Sequence, residues 1–553
     1  MKKILAGLFM AGALFSFSSC TEFLDMTPTD RVSDKTIWET TEAAEYNVNY
    51  LYSYLIDIVN GQSALGLTES LTDMLKYGSY NYNAHCYIPS EMSYGGSVIT
   101  ANYVDVYMGF WGTMYTAIRK TNFALYSLKN YGQMSAEDKL RLEAELRFLR
   151  ANMYFDLVKR YKDVIIYDED MTAYTKDKAL DTESKAWDFI QSDLKFASDN
   201  LPAKADARGR LDKGMAYAFT TRAMLYAKRY QAVADAADKV AELGYTLEAD
   251  YEDAVKKPIN EGNKEAILQY TFSYADAVTH SLDFYYTPAG DYSLLGQDGA
   301  GGGYGTPTQE LVESYELAAG GFPDWTPWHT TEGTTVNPPY ADLEPRFHAT
   351  ILYNGAEWKG RKIEPFINGV DGWATWKTER EPKGKTVTGY YLKKLVDETN
   401  VNLTGSDMPV SILRYAEVLL NKAEACYHLE GRSADANEAI RTVRARVNLP
   451  YTDKAGENLW AAIRQERKVE LAFEGLWYWD LRRWGVAHEQ YPLGLSGYQQ
   501  HGLKIEKYAD GFKYTYVSVD EADREFSSKL YRFPMPTSEL NSNSAVDQYP
   551  EWK

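Results

Sequence analysis

The sequence predicts a mainly α-helical protein, with stacked helical hairpins joined to a loop-rich region that carries a few short strands. Three observations lead there. From Lys139 to Tyr161 the residues Leu142, Leu146, Leu149, Met153 and Leu157 recur at spacings of 4, 3, 4 and 4, the apolar stripe of an amphipathic helix. Twice, an Ala-rich helical run reaches a short break and a second helical run follows. Between Tyr270 and Asp407 this periodicity disappears and Gly, Pro and Trp take its place.

In chain order, residues 1–19 read as a signal peptide: Lys2 and Lys3 form a cationic start, and Ile4 to Phe17 is an apolar run of 14 residues, too short to span a bilayer. Ser18 and Ser19 then precede Cys20, which fits either a signal peptidase site or a lipoprotein site cleaved directly before the cysteine. The lipoprotein reading is preferred because the other leaves a free exposed thiol. Acyl chains on Cys20, each buried CH₂ contributing about 0.8 kcal/mol, would anchor the chain without spanning. Residues 20–36 are the lipidated N-terminus and a polar tether, and 37–553 a single domain. No later stretch approaches 18 consecutive apolar residues, so no transmembrane helix is expected.

The scaffold is expected mainly over 37–270 and 408–485. The polar face of the 139–161 helix carries Arg141, Glu145, Arg150 and Lys159. Gly214 to Tyr230, rich in Ala, runs into Gln231 to Leu243 through a very short connection; Ser411 to Leu429 and Asp435 to Val447 repeat the arrangement around Gly431. Small residues where two helices cross allow close approach, as in tetratricopeptide pairs, although the strict repeat signature is absent. The loop-rich region, about 271–407, contains Gly299 to Gly305, several prolines and Trp325, Trp328, Trp358, Trp373 and Trp376. Long aromatic loops on a rigid scaffold tend to carry function.

Composition excludes several functions. The 553 residues hold 59 Lys plus Arg against 78 Asp plus Glu, a net charge of −19, which disfavours binding to phosphate backbones. Hydrophobic residues at 45% and charged residues at 25% are ordinary for a folded protein. The seven histidines show no HxH or HxxxH spacing, so neither a metal nor another cofactor is expected. Gly384-Lys385-Thr386 resembles the end of a phosphate loop, but Glu379 stands where the first glycine belongs. There is no GxSxG elbow and no EF-hand loop, and scattered carboxylates define no acid/base pair without geometry. The protein is expected not to be an enzyme. Cys86 and Cys426 read as two buried thiols rather than a disulfide.

Several motifs, in order, resemble the SusD/RagB family of surface lipoproteins of Bacteroidetes. After Cys20 comes Phe23-Leu24-Asp25 with Pro28; Arg147 to Asp163 (RFLRANMYFDLVKRYKD) resembles the family's most recognisable helix, with Lys162-Asp163-Val164-Ile165 where a Gly-Asp-Val-Pro turn is usual. Glu344-Pro345-Arg346 stands for Asp-Pro-Arg, and Arg414 to Leu420 with Val443 to Arg446 resembles the late helix pair. Ile463 to Trp484 (IRQERKVELAFEGLWYWDLRRW) is similar to the long C-terminal signature, and Pro534-Met535-Pro536 to the closing segment. The charged residues of these motifs, Arg147 and Arg150 included, read as a folding signature; Glu466 has Arg467 nearby, and Asp480 has Arg482 and Arg483.

The resemblance implies a SusD-like fold with about four tetratricopeptide-like helix pairs. It also implies a lipid-anchored, cell-surface protein of the outer membrane, partnered by a SusC-like TonB-dependent transporter, that captures an oligosaccharide or polysaccharide. A RagB-like peptide-capturing lid is the alternative, and a surface glycosidase a more distant one. Sugar binding needs flat aromatic platforms with polar edges, each ring stack removing about 50 Å² of apolar surface for roughly 1–2 kcal/mol. From composition and loop placement, the expected platforms are Tyr80, Tyr82 and Tyr94 in an early loop and Trp325, Trp328 and Trp373 in the middle region. Trp111, Trp460, Trp477, Trp479 and Trp484 are expected to be structural.

Overall fold

The computed structural model describes residues 34–55, 65–77, 104, 108–373 and 385–553, apart from 171, 173, 176, 206–208 and 521. Helix α1 (Thr41–Tyr52) is followed by strand β1 (Leu75–Tyr77) and by five long helices, α2 (Trp111–Tyr131), α3 (Ala136–Tyr161), α4 (Glu183–Asn200), α5 (Lys213–Tyr226) and α6 (Tyr230–Glu242). Each of α2 to α6 packs on the next. The starts of α3, α4 and α5 are set by side-chain caps: Ser135, Thr182 and Asp212 accept from the backbone N–H groups of Asp138, Lys185 and Met215. The break between α5 and α6 is three residues long, with Lys228 at φ 57°.

The apolar stripe of α3 is buried as its spacing predicts. Its expected polar face is buried in large part too, with Glu145 and Arg150 at 0% and 1% exposure, because α2 and α4 cover the helix from both sides. Buried charges of this kind must be paired. Arg150 binds Asp193 at 2.7 Å and Glu169 at 2.8 Å, while Glu145 takes Arg141, Arg210 and Tyr52. At the end of α3, Lys162 adopts φ 64° and ψ −75°, and Asp163 N donates to Tyr161 O, a tight γ-turn normally unfavourable for a residue with a Cβ. Lys162 stands where the resemblance places the family's glycine and takes a positive φ that glycine adopts without strain.

The loop-rich region starts after β2 (Ala266–Tyr270). It contains the short helices α7 (Leu282–Tyr286) and α8 (Ala289–Leu294), β3 (Gly305–Pro307), α9 (Gln309–Val312), and the two-residue strands β4 (Ile351–Leu352), β5 (Glu357–Trp358), β6 (Arg361–Lys362) and β7 (Tyr391–Leu392). These form two-stranded antiparallel ladders: β1 with β3, β4 with β7 and β5 with β6.

Strand β8 (Val410–Arg414) leads directly into α10 (Tyr415–His428), followed by α11 (Ser433–Arg446), α12 (Gly456–Glu470) and α13 (Trp477–Arg483). The helix expected from Ser411 thus begins four residues late, because β8 pairs with β2, Arg414 opposite Ala266. Helix α10 packs on α6 as well as on α11 and α12, so the loop-rich region is an insertion between two neighbouring helices of one stack. After α13, β9 (His501–Tyr508) and β10 (Gly511–Ser518) form a hairpin around Ala509-Asp510, where Asp510-Gly511 is an Asp-Gly turn signal.

A buried ion network fixes the insertion to the helices. Arg346 binds Glu344, Glu466 and Glu470; Arg414 binds Glu265, Glu470 and Glu474; Arg444 binds Glu316 and Glu466. Burial would push the Glu470 carboxyl up, but the guanidiniums of Arg446, Arg414 and Arg346 outweigh it and hold it well below the usual range. The motif charges therefore act in folding: Asp480 takes its expected neighbour Arg483 together with Arg467, whereas Glu466 takes the distant Arg346 and Arg444 in place of Arg467.

Candidate functional site

The run Gly299 to Gly305 is a close-packing device. A Cβ on Gly301 would stand 2.7 Å from Phe284 O and 2.8 Å from the Tyr292 ring; on Gly302, at φ +81°, it would stand 2.6 Å from Thr287 O. Only glycine permits that approach. Three backbone bonds then join the run to α7 and the turn after it: Gly302 N to Phe284 O at 2.8 Å, Gly303 N to Thr287 O at 2.9 Å, and Tyr304 N to Tyr285 O at 2.9 Å.

This gathers three rings. Phe284 and Tyr285 have centroids 5.0 Å apart, Tyr285 and Tyr304 5.0 Å, and Phe284 and Tyr304 6.1 Å, in edge or tilted geometry. All three are half-buried. Tyr292 is buried against Phe284 and donates to Leu403 O at 3.1 Å, and burial pushes its hydroxyl above the ordinary phenol range. On α8 and on the loop that Tyr292 holds, Leu294, Leu295 and Val401 are exposed. The result is a half-open apolar surface on a rigid base.

The base is ionic. Asp291 of α8 accepts from Thr287 Oγ1 at 2.6 Å, Trp358 Nε1 at 2.9 Å and Arg361 Nη2 at 2.7 Å. Arg361 also binds Asp371 at 2.7 Å, and Gly290 N donates to the same carboxylate at 3.0 Å. Asp371 lies two residues before Trp373, so one network anchors both α8 and the approach to that tryptophan. The same contacts bear on catalysis. Two carboxylates meet here, but Arg361 holds both, and Asp291 is kept below its ordinary value despite burial by Thr287, Arg361 and Trp358. A glycosidase acid needs the opposite shift.

A second aromatic cluster lies in the same region. Trp325 and Trp328 are 6% and 7% exposed, with centroids 5.5 Å apart. Tyr340 packs against Trp325, Phe347 and Tyr353, and Trp328 Nε1 donates to Val336 O at 2.9 Å. Trp325 Nε1 is buried without a partner among the described residues, a cost that the burial of the ring offsets.

The SusD family model matches residues 264–552, more than half of the chain, and a second model described as "Starch-binding associating with outer membrane" matches residues 22–225. The chain belongs to the SusD family. A SusD-like protein of Formosa agariphila is 24% identical over 86% of this chain and 88% of its own length. Among solved structures, a SusD-like protein from Bacteroides fragilis aligns with a TM-score of 0.78 at 28% identity, over 95% of this chain and 100% of its own. A SusD-like carbohydrate binding protein from the same species aligns at 0.74 and 24%, over 93% and 100%.

The fold of this SusD-family chain is mainly helical, as expected. Of the expected platforms, Trp325 and Trp328 are corrected: a stacking platform needs an open face, and theirs are closed by packing. Trp373 is half-buried, in a backbone bridge with Thr386. Cys20, Tyr80, Tyr82, Tyr94 and Cys86 lie outside the described residues. Cys426 is a buried free thiol, raised by its burial. Trp111, Trp477 and Trp479 are buried, and Trp460 and Trp484 half-buried, all in or beside helices. Sequence reading missed Phe284, Tyr285 and Tyr304; the available signal was Tyr304 inside the glycine run.

Proposed function

We propose that this protein is a non-catalytic, lipid-anchored glycan-binding component of the outer-membrane surface, which captures an oligosaccharide or polysaccharide and delivers it to a SusC-like TonB-dependent transporter. The observation that carries the reading is the half-open Phe284–Tyr285–Tyr304 cluster, held on the Asp291–Arg361–Asp371 base. A sugar ring has apolar C–H faces and a hydroxyl rim, and fixed aromatic faces with water at their edges suit it. The likeness to a carbohydrate binding protein and the starch-binding family description support the ligand class. Each stack is worth only about 1–2 kcal/mol, so retention comes from several contacts on one long glycan, and modest affinity suits a protein that passes its cargo on.

The test is retardation of the purified protein in gels carrying a panel of polysaccharides. At least one neutral glycan is expected to retard it, with Tyr285→Ala and Tyr304→Ala each weakening binding about tenfold, the equivalent of about 1.4 kcal/mol. No reducing ends should be released. Retardation unchanged in both variants would remove the cluster from the site, and sugar release would overturn the non-catalytic reading. Cys20→Ala should free the protein from membranes.

A further inference from the structure

A cavity of about 510 Å³ opens where the ends of α3, α5 and α13 meet the start of α4. Its volume lies within the roughly 300–1,000 Å³ of small-molecule sites. The wall carries six cations, Lys159, Lys162, Lys228, Arg229, Arg482 and Arg483, and a single carboxylate, Glu183. In a chain of net charge −19 this is a local reversal of sign. The same wall presents aromatic surface from Tyr226 and Tyr531, both half-buried, while its Trp187 and Trp479 are nearly closed at 6% exposure.

Some of the positive charge is spoken for. Lys159 binds Asp156 at 2.6 Å, Arg229 binds Asp188 at 2.6 Å, and Arg483 binds Glu424 and Asp480. Helix C-termini also attract cations, each end carrying about half a negative charge, and three such ends converge here. That does not account for Arg482. Its residue is 6% exposed and no ion pair joins it to a carboxylate among the described residues; Nη2 donates to Leu530 O at 2.6 Å, while Nε and Nη1, both closed to solvent, have no acceptor among the described residues. If the helix ends were its purpose, those nitrogens would meet carbonyls. Instead the guanidinium lies over the Trp479 and Phe533 rings, 4.7 and 4.6 Å from their centroids. Lys228, exposed at the mouth, also lacks an ion-pair partner among the described residues. Burial lowers the Lys159 ammonium to about 8 even with Asp156 beside it. A buried cation without a counter-charge is costly, and an anion in the adjoining cavity would offset its charge through space, without bonding the two enclosed nitrogens.

We propose that this cavity binds an acidic monosaccharide unit, a uronate whose carboxylate is matched by the cations and whose ring face is matched by the aromatic wall. It would be a second ligand site, built on the helical stack rather than on the loop-rich region. The anion half of the assignment stands on the cavity alone, and the sugar half rests on the glycan reading above.

The test is calorimetric titration of the full mature chain with sodium glucuronate, glucose and sodium acetate. Glucuronate is expected to bind saturably, glucose to show no binding, and acetate to bind at least tenfold more weakly. Lys228→Glu at the exposed mouth should weaken glucuronate at least tenfold without changing the thermal midpoint. Arg482→Gln should abolish binding, with circular dichroism reporting whether the variant is folded. No saturable glucuronate binding, or binding unchanged in Lys228→Glu, overturns the site. Equal binding of acetate overturns the sugar assignment. Tyr285→Ala should retain full glucuronate binding, so loss of polysaccharide retardation and loss of this site are separable outcomes.

Discussion

The Trp325–Trp328–Tyr340 cluster and the Phe284–Tyr285–Tyr304 cluster share one region and one class of residue, yet they are built oppositely. The first is closed: its tryptophans are nearly inaccessible, and Trp328 spends its N–H on Val336 O. The second is half-open and is held by backbone bonds and glycines rather than by surrounding rings. The region has no regular apolar stripe, so its largest rings supply its core, each burying on the order of 150–250 Å². Tyrosine, with a polar tip, tolerates the half-wet position. A count of tryptophans in such a region therefore measures its core, and the half-open aromatic surface is found where glycines bring rings together.

The sharpest separation of the two clusters is Trp328→Ala. Loss of a buried indole should cost about 3–5 kcal/mol in urea unfolding, while the fraction that stays folded keeps its polysaccharide affinity. Affinity lost in step with stability would break the division. A smaller effect is expected of Gly302→Ala. Its φ of +81° and the approach to Thr287 O leave no place for a methyl group, so stability should fall by about 2 kcal/mol. Here affinity should fall as well, because the bonds that seat Tyr304 depend on this backbone. Unchanged retardation would show that Tyr304 reaches the ligand without its glycine support.

Much of the fold was legible because helices announce themselves locally. The stripe of α3 and the hairpin at α5 and α6 follow from spacing and small residues alone. The motif charges were legible as structural, and so was the local pair of Asp480 with Arg483, but not the distant partners: Arg346 meets Glu466 across 120 residues, a pairing set by tertiary contact that no local pattern encodes. The turn at Lys162 shows the reverse case. There lysine replaces the expected glycine at a positive φ, so Lys162→Gly should stabilise by about 1 kcal/mol in the same urea assay, relieving that φ. The open aromatic cluster was hidden because its rings come from two segments, Phe284-Tyr285 and Tyr304, joined by hydrogen bonds rather than by any period.

The smallest expected effect is the most discriminating about how the open cluster works. Tyr285→Phe keeps the ring and removes only the hydroxyl. If stacking carries the contact, the flat face is intact and polysaccharide affinity should stay within about twofold, or roughly 0.4 kcal/mol, against about tenfold for Tyr285→Ala. A hydroxyl that bonded the sugar rim would give a different pattern, because its removal leaves a polar group of the ligand unpaired at about 1–3 kcal/mol when water is excluded. Equal losses for the Phe and Ala variants would then transfer the contact from ring face to hydroxyl. In that case the open cluster would be a hydrogen-bonding edge, and its contrast with the closed cluster would lie in polar reach rather than in exposed aromatic surface.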